Sequence, residues 1–256
     1  MNTTSFVHPN AKIGLHVEIG PFSYIAENVE IGANTIIYPG VTILDGSKIG
    51  ENCRIFTGAV IGAEAQDLSY AGEETWVEVG DFVTIREFVT LHRGTKVKKK
   101  TVIGDHCYLM AYAHVAHDCL VGHHCIFANG VNLAGHVEVG NFVNFGGLSA
   151  VHQFCKIGSH AMIGGGSIVR RDVPPFIKAV RNPVAYGGVN KIGLTRKGFS
   201  RESIDSITDI YRYLFVKNTN LSKGIAEMQA NIPESEYKRE IEAFIAGSNR
   251  GLIKGL

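Results

Sequence analysis

The sequence predicts an all-β fold, a parallel β-helix wound from hexapeptide repeats, closed by a small C-terminal α-helical domain. Three observations carry this. Every sixth residue from Val7 to Val169 is apolar except Asp67 and Glu73. A second register, two residues before each of these, holds only small or β-branched side chains over most of the same span, as at Ala11, Val17, Ser23, Cys53, Ala113 and Ser167. Beyond residue 200 the apolar spacing becomes helical, at Ile204, Ile207, Ile210, Tyr211, Leu214 and Phe215. A period of six is neither the 3.6 of a helix nor the 2 of a strand, so it describes a repeating unit.

Each hexad supplies one bulky and one small inward side chain and a corner. Glycine often follows the bulky position, as at Gly14, Gly32, Gly50, Gly104, Gly122 and Gly140, and it suits a corner that needs φ > 0. Three hexads make one triangular coil, and stacked coils pair as parallel strands about 4.8 Å apart. The register then spans roughly nine coils, or about 40 Å. The two misses lie in an excursion loop near 62–76. The Lys-rich stretch after Thr95 reads as a second loop, in which Val97 alone keeps its register. Asp172-Val173-Pro174-Pro175 ends the prism, because proline cannot donate to a ladder. Ser200 reads as an N-cap with Glu202 in the first turn. Further helices fall near 221–231 and 234–247, the latter starting at Pro233 and stopping at Gly247. The expected division is 1–190 for the β-helix and 191–256 for the helical domain, which caps one end of the prism.

Composition narrows the classes. The 256 residues include 30 glycines, are 19% charged and carry a net charge of +1. The start, Met1-Asn2-Thr3-Thr4, has neither a basic region nor an apolar run, so no signal peptide is expected. No stretch of 18 or more apolar residues exists to span a membrane. A cytoplasmic protein is expected. All five cysteines lie in the small inward register, which makes them buried ladder residues rather than disulfides or metal ligands. From Arg170 to Arg201 there are eight basic residues and one acid, Asp172. Such a strip suits an acidic partner or a phosphate-bearing ligand. No aromatic interleaving accompanies it, so nucleic acid is not expected.

Seven of the eleven histidines lie between His92 and His136, and His152 follows. In His114-Val115-Ala116-His117-Asp118 the inward residue is Val115, so His114 and His117 point out of the prism. His117 beside Asp118 suits a general base held by a carboxylate. One coil of three hexads beyond His117 is Gly135, bare backbone with His136 next to it. Two readings follow from these residues alone. One is an acyltransferase with a histidine base. The other is a zinc enzyme like the γ-class carbonic anhydrases, with His114 and His117 as ligands.

Several segments carry a resemblance: Phe6-Val7-His8-Pro9, Gln66-Asp67-Leu68, Thr90-Leu91-His92-Arg93-Gly94-Thr95, Ala113-His114-Val115-Ala116-His117-Asp118-Cys119, Leu133-Ala134-Gly135-His136-Val137, Ala150-Val151-His152-Gln153-Phe154-Cys155, Asp172-Val173-Pro174-Pro175 and Gly198-Phe199-Ser200-Arg201-Glu202. Over essentially its whole length the chain resembles the UDP-N-acetylglucosamine O-acyltransferase family, which begins lipid A biosynthesis. The resemblance implies a left-handed parallel β-helix, against the usual right-handed crossover, and a homotrimer with its sites between neighbouring prisms. It implies transfer of an (R)-3-hydroxyacyl chain from acyl carrier protein to the 3-hydroxyl of UDP-N-acetylglucosamine, with no cofactor or metal. His117 matches the general base, Asp118 its support, and Gly135 the oxyanion-binding amide. Asp67, His92, His114 and His136 match sugar-side positions. His152, Gln153, Asn190 and Arg196 match positions near the nucleotide. Gly165 matches the position that limits acyl length, and glycine there implies a long chain. The basic strip fits an acidic acyl carrier protein. Ser69 and Ile192 depart from the family's frequent lysine and glutamate, which leaves a 3-amino sugar nucleotide as an alternative acceptor.

Overall fold

The computed structural model describes residues 4–218 and 220–255; Met1-Asn2-Thr3 lies outside them. From Phe6 to Val169 the chain visits three faces in turn, each a parallel sheet of strands two to four residues long. Face A runs through nine strands, from Phe6–Val7 to Ile168–Val169. Face B runs through eight, from Lys12–Ile13 to Lys156–Ile157. Face C starts at Glu18–Ile19 and holds ten. The bulky inward residues are buried from Ile25 to Val169, Val97 excepted, and so are the five cysteines, all free. Their register is direct: Val121 pairs with Val139, and Val139 with Ile157, one coil of three hexads each time.

Two rungs on each face depart from this spacing, as face A shows. Ile61 pairs with Leu91, five hexads on, and Leu91 pairs with Val115, four hexads on. The two extra hexads of the first form the expected excursion, between the strands Val60–Ala63 and Trp76–Val79. The one extra hexad of the second forms another loop, between the strands Thr90–His92 and Lys100–Ile103. Val97 sits on that loop, 68% exposed, and is not an inward residue. The two loops together consume one coil's worth of register. Face A therefore climbs eight steps rather than nine, about 38 Å at 4.8 Å per step.

Three sequence expectations need correction. The glycines that follow face B are not at φ > 0. Instead, a Cβ on any of Gly14, Gly32, Gly50, Gly80, Gly104, Gly122, Gly140 or Gly158 would come within 3.0 Å of backbone in the next coil. They permit close stacking. The left-handed corner falls three residues after the bulky position, and after face B it is filled by His16, Asn34 and Asn52 in the first coils and then by the rings of Phe82, His106, His124, Phe142, His160 and Phe176, all at positive φ. The six rings from Phe82 to Phe176 stack in one continuous column with centroids 4.6–5.6 Å apart. Second, the double proline does not end the sheet. Pro174 and Pro175 follow Val173, the last residue of face B bridged to the coil before it, and Ile177–Val180 adds another parallel rung on face C before a hairpin returns through Ala185–Val189. Third, the last helix is capped by Ser235, not opened at Pro233.

Four α-helices follow: α1 Lys191–Arg196, α2 Arg201–Tyr211, α3 Leu221–Asn231 and α4 Glu236–Ala246. Each begins on a side-chain cap, from Asn190, Ser200, Asn220 and Ser235 respectively. The end of α2 widens into a π-turn over Arg212–Val216. The helices are fastened to the prism by the Tyr211 hydroxyl, which donates to the Pro175 carbonyl at 2.6 Å. The C-terminal tail is fastened by buried Asp172, which accepts from the Ser248 hydroxyl and the Arg250 amide. Phe244 and Glu240 of α4 also lie along face B, beside Val139 and Ile157, so the helical part covers a flank as well as an end. Among the described residues no helix is long and apolar enough to cross a membrane.

Candidate active site

Four consecutive strands of face A are in register through Leu91, Val115, Leu133 and Val151. The residues leaving these strands therefore stack as well. Ala116, Ala134 and His152 form one column; His117, Gly135 and Gln153 form the next; Asp118, His136 and Phe154 form a third, at φ +59°, +62° and +65°. This is why His117 and Gly135 adjoin. A Cβ on Gly135 would lie 2.5 Å from Cε1 and Nε2 of His117, so the imidazole lies on bare backbone. The Gly135 amide makes no hydrogen bond among the described residues.

His117 points out of the prism yet is buried, because the two loops fold over it. Its Nδ1 is 2.9 Å from Asp118 Oδ2 and its Nε2 is 3.6 Å from Asp67 Oδ2 on the excursion loop. His136 meets the His117 ring edge-on at 5.0 Å, stacks on Phe154 at 4.5 Å, and puts Nε2 3.7 Å from Asp118. On the other side the His92 ring meets His114 edge-on at 5.1 Å. His92 Nδ1 bonds the Glu64 carbonyl, and His114 Nδ1 bonds the Thr90 hydroxyl. Seven candidates, Asp67, His92, His114, His117, Asp118, Gly135 and His136, thus converge on one spot.

The charges are sorted. Burial pushes the His114 imidazole down to about 4, helped by His92. Burial also lowers His92 and His136. These rings are neutral near pH 7 and offer hydrogen bonds without charge. The Ser69 amide holds the Asp67 carboxyl below the ordinary range. Burial alone would raise Asp118, but bonds from His117, from the Thr95 hydroxyl and amide and from the Lys98 amide outweigh it and hold that carboxyl low. An ionised carboxylate only accepts, so His117 Nδ1 donates to Asp118, and in the neutral form of the ring this puts the lone pair on Nε2. His117, Asp118 and His136 place three metal-ligating atoms within 4.8 Å. Both Asp118 oxygens, however, are already taken up by the donors of the second loop.

The other candidates lie apart. His152 and Gln153 sit farther along the same corner. Arg250 braces both, with Nη2 2.9 Å from His152 Nδ1 and both Nη2 and Nε donating to the Gln153 carbonyl. Asn190 caps α1 and donates to the His160 carbonyl. With Arg196, Ile192, Lys178, Asn144 and Met162 it lines a separate cavity of about 690 Å³ beside face C. Gly165 lies at the corner between faces C and A, where a Cβ would come no closer than 3.4 Å to the Gly147 carbonyl. Sequence reasoning missed Glu73, Thr95, Lys98 and Arg250. The first three lie on loops without period, and Arg250 acts 98 residues away from His152.

The six-repeat bacterial transferase hexapeptide family matches residues 10–45, 28–55 and 100–135. The family described as UDP-N-acetylglucosamine O-acyltransferase, domain 2, matches residues 172–253. A UDP-N-acetylglucosamine acyltransferase of known structure from Bacteroides fragilis superposes with a TM-score of 0.97 at 44% identity, covering 99% of this chain and 100% of that one. The fold and the repeats define a hexapeptide transferase built on a left-handed parallel β-helix. Two relatives named acyl-[acyl-carrier-protein]–UDP-N-acetylglucosamine O-acyltransferase extend the match in sequence. That from Thiobacillus denitrificans is 46% identical over 99% of both chains, and that from Alkalilimnicola ehrlichii is 49% identical over 97% of this chain and 96% of its own. The chain belongs to the UDP-N-acetylglucosamine O-acyltransferase family.

Proposed function

We propose that this chain moves an (R)-3-hydroxyacyl group from acyl carrier protein to the 3-hydroxyl of UDP-N-acetylglucosamine, the first step of lipid A biosynthesis, in the cytoplasm. The names and coverage of its relatives support the substrates. The observation that carries the mechanism is the buried His117 ring, bonded to Asp118 through Nδ1 and lying on bare Gly135. Nε2 takes the proton of the sugar hydroxyl as its oxygen attacks the thioester carbonyl. Asp118 stabilises the imidazolium. The free Gly135 amide receives the oxyanion. The C–S bond then breaks, and the departing thiolate recovers the proton. Asp67 and the neutral His92, His114 and His136 hold the sugar.

His152, Gln153, Asn190 and Arg196 serve the nucleotide. Within one chain Asn190 and Arg196 line a cavity apart from His117, which supports a homotrimer whose neighbouring copies complete each site. The outer surfaces support the same assembly. Face B carries alternating charges in Lys12–Glu30, Lys100–Glu78 and Lys156–Glu138 pairs, suited to solvent. Faces A and C expose Phe6, Tyr24, Ile126 and Ile168. Open space at Gly165 favours a long acyl chain, and the basic strip from Arg170 to Arg201 favours the acidic carrier.

An assay of UDP-N-acetylglucosamine against hydroxyacyl carrier proteins of graded length tests substrate, acceptor and length together. His117→Ala is expected to fold and assemble like the parent but to lose turnover by about 10²-fold or more, the scale of a missing general base. Turnover near the parent's would remove His117 from this role.

A further inference from the structure

We infer that the two loops act as one positioning device for the base: Thr95 fixes the carboxylate that orients His117, and Glu73 ties the loop bearing Thr95 to the loop bearing Asp67. The inference rests on the general-base reading of His117. Asp118 stands at a left-handed corner with its side chain buried, and its acceptor sites are filled from the second loop. Oδ1 accepts the Thr95 amide at 3.0 Å and the Lys98 amide at 3.1 Å. Oδ2 accepts the Thr95 hydroxyl at 2.7 Å and shares the Thr95 amide at 3.1 Å, beside the bond from His117. The Thr95 hydroxyl in turn accepts the Val97 amide at 3.3 Å, so its orientation is set and its proton goes to Asp118. Nothing in the repeat requires this loop. Its one extra hexad places three donors around one carboxylate.

Glu73 makes the second connection. One oxygen accepts the Ala71 amide of its own loop at 2.8 Å, and the other accepts the Lys96 amide of the second loop at 3.0 Å. The Tyr70 hydroxyl donates to the Glu73 carbonyl at 3.2 Å. Asp67, facing His117 Nε2, therefore stands on a loop bolted to the one that holds Asp118. The two sides of the imidazole are gauged against each other, as a base that must meet a hydroxyl at hydrogen-bond distance requires.

The residues separate by kinetics. Thr95→Val keeps the volume and removes one donor from Asp118. It is expected to lower kcat roughly tenfold, a fraction of the 10²–10⁴-fold of a whole general base, with KM for the sugar nucleotide little changed. It is also expected to move the acid limb of the rate profile to higher pH, because the carboxylate loses a bond that favours its ionised form. The charged or titratable groups facing Asp118 are His117, His136 and Lys98, whose ammonium pairs with Glu138. All remain in the variant. Thr95→Ser is expected to restore both rate and limb. Glu73→Gln, which leaves one amide without an acceptor, is expected to raise KM severalfold with a smaller effect on kcat.

A merely structural threonine would lower melting temperature without moving the limb. Thr95→Val with the parent's kcat and acid limb, or a serine variant no better than valine, would overturn the inference. Should the valine variant not fold, Thr95→Ala reads the same limb. His117→Ala, assayed alongside, separates the two claims. If it abolishes turnover while Thr95→Val is silent, only the positioning device fails. If it retains turnover, the base assignment fails.

Discussion

A glycine beside a histidine is the smallest unit on which the chemistry depends. At Gly135 the need is for absent atoms rather than unusual φ, since a methyl group would lie 2.5 Å from two atoms of the His117 ring. Gly135→Ala is expected to leave the melting temperature close to the parent's while turnover falls by about 10²-fold, the scale of a displacement near 1 Å at a reacting group. Parallel assays of turnover and thermal unfolding decide it, and an active alanine variant would show that the ring has room to move. This contact was legible in the sequence, because the partners stand three hexads apart and three hexads make a coil. The bonds around Asp118 were not. Thr95 and Lys98 reach it from an aperiodic loop, and spacing says nothing about where such a loop folds. Asn190 and Arg196 were singled out only through the family resemblance, and their place in a cavity apart from His117 was not legible.

At the level of the element, glycines fall into two groups that composition alone merges. The column that includes Gly122 permits contact between coils: a Cβ there would meet the Gly140 backbone at 2.8 Å. Gly166 instead occupies a left-handed corner, at φ +67°, with nothing within 4 Å of an added Cβ. Gly122→Ala is expected to destabilise by about 1–3 kcal/mol through overpacking. Gly166→Asn is expected to cost at most about 1 kcal/mol, because asparagine tolerates αL, as Asn34 and Asn52 do in this chain. Denaturant titrations of the two variants rank them, and the reverse order would refute the distinction. The hexad shows where a corner falls but not which of its residues takes the rare backbone. Rings at positive φ were unforeseeable, because such residues seldom adopt it. Here, from Phe82 to Phe176, each corner ring after face B leans on the ring of the next coil.

The whole molecule carries a proton-linked term in its stability. Burial holds His114 and His160 at about 4 in the folded chain, against about 6.5 unfolded. Between those values the unfolded chain binds more protons, so stability rises with pH across the window and is lost as pH falls through it. The melting temperature is expected to drop as the buffer goes from pH 7 to pH 5. His160→Phe keeps a ring between Phe142 and Phe176 and is expected to flatten that slope. Scanning calorimetry at several pH values measures it, and an unchanged slope in the variant would dismiss His160 as a contributor. The general architecture was plain from the sequence. The continuation past Pro174 and Pro175 was not, because proline's lost donor matters only where another strand follows in the ladder, and face B gains no further coil beyond Val173.

The loop lengths give the chain something like a reading frame. Insertions of two hexads and of one return the chain to phase, as a three-base insertion does in a gene, so the written period runs on while the thread has left the spindle. Val97 is the false in-frame letter this produces. An editor of this molecule would do well to count in sixes within the coils, where a single added residue would turn downstream inward side chains outward. Inside the two loops, where the count carries no meaning, the residues to keep are those that hold the carboxylates.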